Sequence, residues 1–193
     1  MKRTIITLAL LMGAFGAAQA QNATTFGVTV GYGRDRILSN NQYTSVSHSA
    51  YQAGLTADFN VSEKVSFHPE VLYSKRYFDT SNDANLNRDI SSIDVPLLVR
   101  YHLSGLYFEA GPEVGFPIKA VNEDAADTKS ELNSVVLNYM AGVGYRFGKG
   151  PSLGVRYDGG ASNIFKSNTS TVLGAGKFKS SAVWVVLAYS FGG

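Results

Sequence analysis

At 193 residues with no cysteine, the chain is long enough for one domain and cannot form a disulfide, a thiolate metal site or a cysteine-linked lipid anchor. Setting aside Lys2 and Arg3, the remaining 15 basic residues balance 15 acidic ones, which argues against a nucleic-acid partner. Eleven Tyr, eleven Phe and twenty Gly, with few segments of helical period, point to β structure.

Lys2 and Arg3 precede an apolar run from Ile5 to Phe15, and Ala18-Gln19-Ala20 follows as a small-x-small cleavage signal. Residues 1–20 therefore read as a secretory signal peptide, leaving 21–193 as one domain. The apolar run is shorter than the roughly 20 residues a spanning helix needs. No comparable run follows Ala20, so any membrane crossing must use strands closed into a barrel.

Eight segments then alternate with period two: 26–33, 51–59, 65–74, 93–102, 106–116, 135–146, 152–158 and 183–191. The connections at 60–64, 103–105 and 148–151 are short. Those at 34–49, 75–90, 119–133 and 159–180 are long. Short turns on one rim and long loops on the other are the asymmetry of outer-membrane barrels, with the long loops extracellular. The expected fold is all-β, an eight-stranded antiparallel up-and-down transmembrane β-barrel with both ends periplasmic.

The polar face separates this from a soluble barrel. It carries mostly Gly, Ser, Thr and Asn, which suit a cramped interior, and the lysines avoid strand centres, where a lipid-facing charge is costly. The apolar face carries Phe26, Tyr32, Tyr51, Phe59, Phe67, Tyr73, Tyr101, Phe108, Phe116, Tyr145 and Tyr157, together with Tyr189 and Phe191, many near strand ends, as interfacial girdles require. Asp58, Glu70, Asp94, Glu109, Glu113 and Asp158 share the inner face with Arg100, Arg146 and Arg156, a charge network whose expected role is structural. A two-residue turn at Ser104-Gly105 would set Arg100 directly opposite Glu109. A proton or ion relay is the alternative role.

Other chemistry has less support. His48 between Ser47 and Ser49 in the first long loop suggests a nucleophile and base without a third group. His68 and His102, on adjacent strands, could both face the periplasmic end of the lumen, but no carboxylate or third imidazole is placed by spacing to complete a metal site. Asp83, Asn85, Asn87 and Asp89 resemble a calcium loop, yet Arg88 stands where glycine is needed. Lys166, Lys177 and Lys179 could meet lipopolysaccharide phosphates. No catalytic residue, metal or cofactor is expected.

Ile93-Asp94-Val95-Pro96-Leu97-Leu98-Val99-Arg100-Tyr101, followed by Tyr107-Phe108-Glu109-Ala110-Gly111-Pro112-Glu113-Val114-Gly115, resembles the PorT-like group of outer-membrane barrels. By size and topology the chain is also similar to the small OmpA/OmpX-type barrels. The resemblance implies a barrel and identifies no active residue. The C-terminus resembles the signal read by the outer-membrane assembly machinery, with Tyr189 and Phe191 as spaced aromatics, although Val186 replaces the usual Gly and Gly192-Gly193 trail behind. Pro69, Pro96 and Pro112 each remove a ladder hydrogen bond, and bulges would accommodate them. The expected function is structural or surface interaction, with a barrel-embedded hydrolase or acyltransferase, or a narrow solute or ion channel, as alternatives. Expected partners are the lipid bilayer, lipopolysaccharide and the assembly machinery, with a surface or periplasmic protein partner left open.

Overall fold

Alternation sends every second side chain of a strand to the same surface. In the computed structural model, which describes residues 24–39, 45–46, 48–80, 88–121, 127–166 and 178–191, that pattern closes an antiparallel barrel of eight strands. They are β1 (Thr25–Ser39), β2 (His48–Asn60), β3 (Val65–Thr80), β4 (Arg88–Leu103), β5 (Leu106–Val121), β6 (Val136–Arg146), β7 (Pro151–Gly160) and β8 (Phe178–Phe191). Each strand pairs with its sequence neighbours, and β1 pairs with β8 from Phe26↔Phe191 to Ser39↔Phe178 to close the ring. A two-residue strand, Ser45–Val46, adds to the end of β3. The segment read as a signal peptide lies outside the described residues.

The hydrophobic surface is on the outside. Phe26, Tyr101, Phe108, Tyr145, Tyr189 and Phe191 ring the barrel near its short turns, with Phe59 stacked on Phe67 at 6.4 Å. Tyr32, Tyr51, Tyr73, Phe116, Tyr139 and Tyr157 form the second ring, toward the long loops. Between them lies an exposed aliphatic belt including Val28, Val30, Leu55, Val71, Val99, Val143, Val155, Val185 and Leu187. Tyrosine suits a membrane interface because its ring is apolar and its hydroxyl seeks water or a partner. Three hydroxyls of the second ring reach serines: Tyr32 with Ser49 at 3.0 Å, Tyr73 with Ser91 at 3.1 Å and Tyr157 with Ser181 at 3.1 Å.

Two expectations need correction. The stretches 34–49 and 75–90 are not simply loops: β1 runs on to Ser39, β3 to Thr80, and β4 starts at Arg88. A spanning strand needs about 9–11 residues; β3, β4 and β5 have 16 each, so the wall continues beyond the second aromatic ring. Outside lipid, an antiparallel strand needs no greasy face, which is why polar residues such as Arg34, Arg36 and Lys75 continue it. The second correction concerns the prolines. Pro69↔Leu97, Pro96↔Glu113 and Pro112↔Tyr139 all keep the register of their flanking pairs, so no extra residue is inserted there. The register shift lies instead at Ser91/Ser92, opposite Pro117 and Lys119, where Ile118 is the additional residue. Pro117 lacks the N–H the ladder would use, and a bulge absorbs that loss.

The short turns have local causes. Ser104 (φ 50°) and Gly105 (φ 92°) both have positive φ, the backbone of a tight two-residue hairpin. Gly111 is required for another reason: an added Cβ would run into the Leu97 carbonyl, so β4 and β5 can approach only at a glycine.

Candidate functional site

The lumen is the chemically distinctive part of the molecule, and its polar side chains form two groups. Nearer the short turns, Arg156 lies at the centre. Its Nη1 and Nη2 donate to the two Glu70 carboxylate oxygens at 2.8 and 2.7 Å, and its Nε donates to Glu109. Glu109 also accepts from Arg100 Nε at 2.7 Å, across the Arg100↔Glu109 pair that the tight turn sets up. Arg146 Nη2 donates to Asp58 at 2.7 Å, and His68 bridges Asp58 (3.6 Å) and Glu70 (2.9 Å). Three carboxylates here face three guanidinium groups. Such desolvated ions are tolerable because each has hydrogen-bonded partners of opposite charge.

Among the described residues, the group nearer the long loops is unbalanced. Arg76 Nη2 lies 2.9 Å from Asp158, 3.2 Å from Asp94 and 3.6 Å from Glu113, and its Nη1 lies 3.5 Å from Asp35. One guanidinium thus serves four carboxylates, all buried. Ser180 accepts from Arg76 Nη1 at 3.0 Å and its hydroxyl faces both Asp35 oxygens at 3.0 and 3.1 Å. Asn138 Nδ2 donates to Glu113 Oε1 at 2.8 Å. The structure therefore brings every charged residue inferred for the inner face into one of the two groups and adds Arg76 and Asp35. Both additions were hidden in stretches read as loops. The available signal was phase: Asp35 follows Gly31 and Gly33 at even spacing, and Arg76 follows Ser74.

Leu72, Leu98 and Met140 occupy strand positions between the two groups and are fully buried. Trp184 is also fully buried and clusters with Ala50, Ala182 and Val186. Its ring occupies the space a side chain at Gly33 would need, since a Cβ there would lie 2.5 Å from the ring, and Arg76 stacks over it with its guanidinium carbon 5.7 Å from the ring centroid. Tyr107 similarly lies against Gly144, under Arg100 at 4.5 Å. Small residues on one strand make room for large ones on another, as expected of an eight-stranded barrel filled by its own side chains.

At the long-loop rim, β6 and β7 are short and two connecting segments fill the gap. Residues 127–133 and 161–166 zip together: Asn133 N donates to the Ile164 carbonyl at 2.9 Å, and Lys166 N donates to Glu131 at 2.9 Å. Asn133 Nδ2 also donates to the carbonyls of Asn163 (2.9 Å) and Phe165 (3.2 Å), and Lys166 Nζ reaches the Ser130 carbonyl at 2.8 Å. Leu132, Ile164 and Phe165 pack on Ile90, Ala120 and Val136. Ile164 of this lid also helps line a small cavity of about 30 Å³ whose walls include Val136, Ser92, Asp94, Asn138 and Arg76.

The remaining sequence candidates do not assemble. His48 is the first residue of β2 and pairs with Asp35, on the inward face, whereas Ser49 turns outward to Tyr32; strand alternation separates the two side chains. Ser47 lies outside the described residues. His102 Nε2 is 2.8 Å from Ser66 Oγ, while His68 serves the carboxylates, so the two imidazoles have different partners. Asp83, Asn85 and Asn87 lie outside the described residues, and Asp89 belongs to β4, 3.7 Å from Lys75. Among the described residues, no three His, Asp or Glu side chains form a ready-made metal-ligand set.

Comparison with known proteins agrees with this architecture. The solved structure of Neisserial surface protein A superposes with a TM-score of 0.62 at 13% identity, covering 88% of this chain and 99% of that one. Ail, the attachment invasion locus protein of Yersinia pestis, solved with the heparin analogue sucrose octasulfate, superposes with a TM-score of 0.51 at 13% identity over 87% of this chain and 99% of that one. These likenesses concern the fold. No curated protein sequence matches the chain. The family model described as outer membrane protein beta-barrel domain matches residues 18–166, and the chain belongs to that family of barrels set in the lipid and lipopolysaccharide of the outer membrane.

Proposed function

We propose that the protein has a structural and surface-interaction role: a plugged, rigid barrel that presents its long-loop rim to lipopolysaccharide, lipid headgroups or a partner protein, without catalytic activity. The observation that carries this reading is the filled lumen, in which Trp184, Arg156, Leu72, Leu98 and Met140 are all completely buried. A full interior leaves the rim as the surface on which contacts can be made. Arg34 and Arg36 stand exposed on the outer wall beyond Tyr32, where phosphate-bearing headgroups would meet them. The same reading includes export through a signal peptide cleaved after Ala20, reading of Tyr189 and Phe191 by the assembly machinery, and PorT-like affiliation.

Crosslinking in intact outer membranes tests the role. Partners or lipopolysaccharide captured by the native protein should be lost when 127–133 is replaced by a Gly/Ser linker or when Arg34 and Arg36 are changed to Ser. Lipid or peptide turnover abolished by His48→Ala would overturn the reading in favour of an enzyme.

A narrow ion channel is the second reading, favoured by charged groups placed along the lumen from Asp35 to Arg146. Planar-bilayer conductance lost on Arg100→Ala or Glu113→Ala would establish it. Unitary conductance absent in the native protein would rule it out.

A further inference from the structure

The outer wall above the second aromatic ring carries positive charge that the described residues do not answer. β1 leaves the ring at Tyr32 and continues on the same face with Arg34 and Arg36, both exposed. Lys179 of β8 is opposite Leu38, so it stands diagonal to Arg36 on that face, a spacing that long side chains bridge. Asp35 lies between the two arginines in sequence but turns inward to Arg76. Among the described residues, no carboxylate pairs with Arg34, Arg36 or Lys179, whereas Lys75 on β3 is 3.7 Å from Asp89.

Height selects the layer these cations meet. A tilted strand gains roughly 2.5 Å per residue along the barrel axis, which puts Arg34 and Arg36 about 5 and 10 Å beyond Tyr32. A headgroup layer is itself about 5–8 Å thick, so the pair spans it. These are the long-loop ends of β1 and β8, hence the outer leaflet, where lipopolysaccharide is the lipid.

Charge and donor geometry select the ligand. Guanidinium groups bind phosphate through paired N–H donors, and three neighbouring cations suit a phosphate monoester, with up to two negative charges, better than a singly charged phospholipid diester. Ser49 is opposite Arg34 and within 3.0 Å of the Tyr32 hydroxyl, so a hydroxyl stands beside the first guanidinium. Just below, Val183 and Val185 are exposed and the Tyr32 and Tyr51 rings pack 5.4 Å apart, a surface for acyl chains.

Resting on the surface-interaction reading above, and narrowing it to one ligand on one side of the barrel, we propose that Arg34, Arg36 and Lys179 form a site for the phosphorylated sugar of lipopolysaccharide. Its acyl chains lie against Val183, Val185 and the Tyr32–Tyr51 pair.

The test measures binding to the full-length folded protein in zwitterionic detergent micelles by native mass spectrometry. The probes are diphosphorylated lipid A, the same lipid A stripped of its phosphates, and phosphatidylglycerol. Diphosphorylated lipid A should bind roughly tenfold or more tightly than either of the others, a comparison that needs no variant. A surface cation facing anionic lipid is worth about a fivefold factor, so Arg34→Gln with Arg36→Gln should weaken lipid A binding roughly 10–30-fold and Lys179→Gln about fivefold. Both arginines are exposed, so the double variant should keep the native melting temperature. Lys119→Gln, on β5 at the far side of the barrel, should leave binding unchanged. Equal lipid A binding by the native protein and the double variant overturns the site, as does equal affinity for the dephosphorylated lipid. Phosphatidylglycerol bound as tightly as lipid A overturns it in favour of a general anionic-lipid surface. The broader reading falls by a separate result: native protein that captures neither lipopolysaccharide nor a protein when crosslinked in intact outer membranes.

Discussion

Arg156 shows how much a single lumen residue holds together. It satisfies Glu70 and Glu109 at once, and replacing it by Met leaves both carboxylates buried without their principal partner. Breaking a buried pair in this way costs about 3–5 kcal/mol. Arg156→Met should therefore lower the unfolding free energy by that amount in urea titrations from lipid vesicles, and adding Glu70→Gln should recover part of it. Arg100 and Glu109 could be paired from sequence because a two-residue turn fixes register without any tertiary information. Asp35 and Arg76 could not be placed that way. Beyond the bilayer both faces of a strand are polar, so alternation loses its contrast where these two residues lie. Gly33 and Trp184 are complementary for a reason no local pattern contains: they meet across the β1–β8 seam that joins the two ends of the chain.

At the level of elements, the apolar belt was the most legible feature, since lipid imposes one rule on every strand it touches. Leu187 lies within the apolar belt on β8, exposed between Leu153 and Val30 on its neighbours. Leu187→Arg should cost about 2–4 kcal/mol in the same urea titration, whereas an Arg already occupies position 36 on the wall above the belt. The lid was not legible. Its two segments are joined mainly by main-chain hydrogen bonds, the Asn133 amide and the Lys166 ammonium, interactions available to many sequences. Asn133→Ala removes two hydrogen bonds to the opposite segment and should favour local opening by about 1–3 kcal/mol. Hydrogen exchange at the Lys166 amide should then quicken roughly tenfold or more, with the melting temperature of the barrel nearly unchanged. The prolines show the limit of reasoning residue by residue: a missing N–H predicts a disturbed ladder, but whether a gap or an extra residue absorbs it depends on both neighbouring strands.

For the molecule as a whole, strand number, pairing order and the outward greasy face follow from the sequence because they are periodic and repeated eight times. The wall's uneven height does not, since it depends on where each polar extension stops. The outside of the barrel carries Val28, Leu55, Val71, Leu137 and Val185 in the open, so the folded chain needs detergent or bilayer. Folded protein that stays monodisperse in plain buffer on size-exclusion chromatography would contradict the barrel's orientation.

The lone tryptophan adds a practical consequence. Tryptophans of membrane proteins are enriched at the headgroups, but Trp184 is enclosed inside the barrel beneath a guanidinium. Its fluorescence should consequently escape brominated acyl chains, even though the surrounding strands are bathed in them. A blue shift during refolding would time the sealing of the β1–β8 seam, reporting closure of the cylinder separately from its arrival in the bilayer.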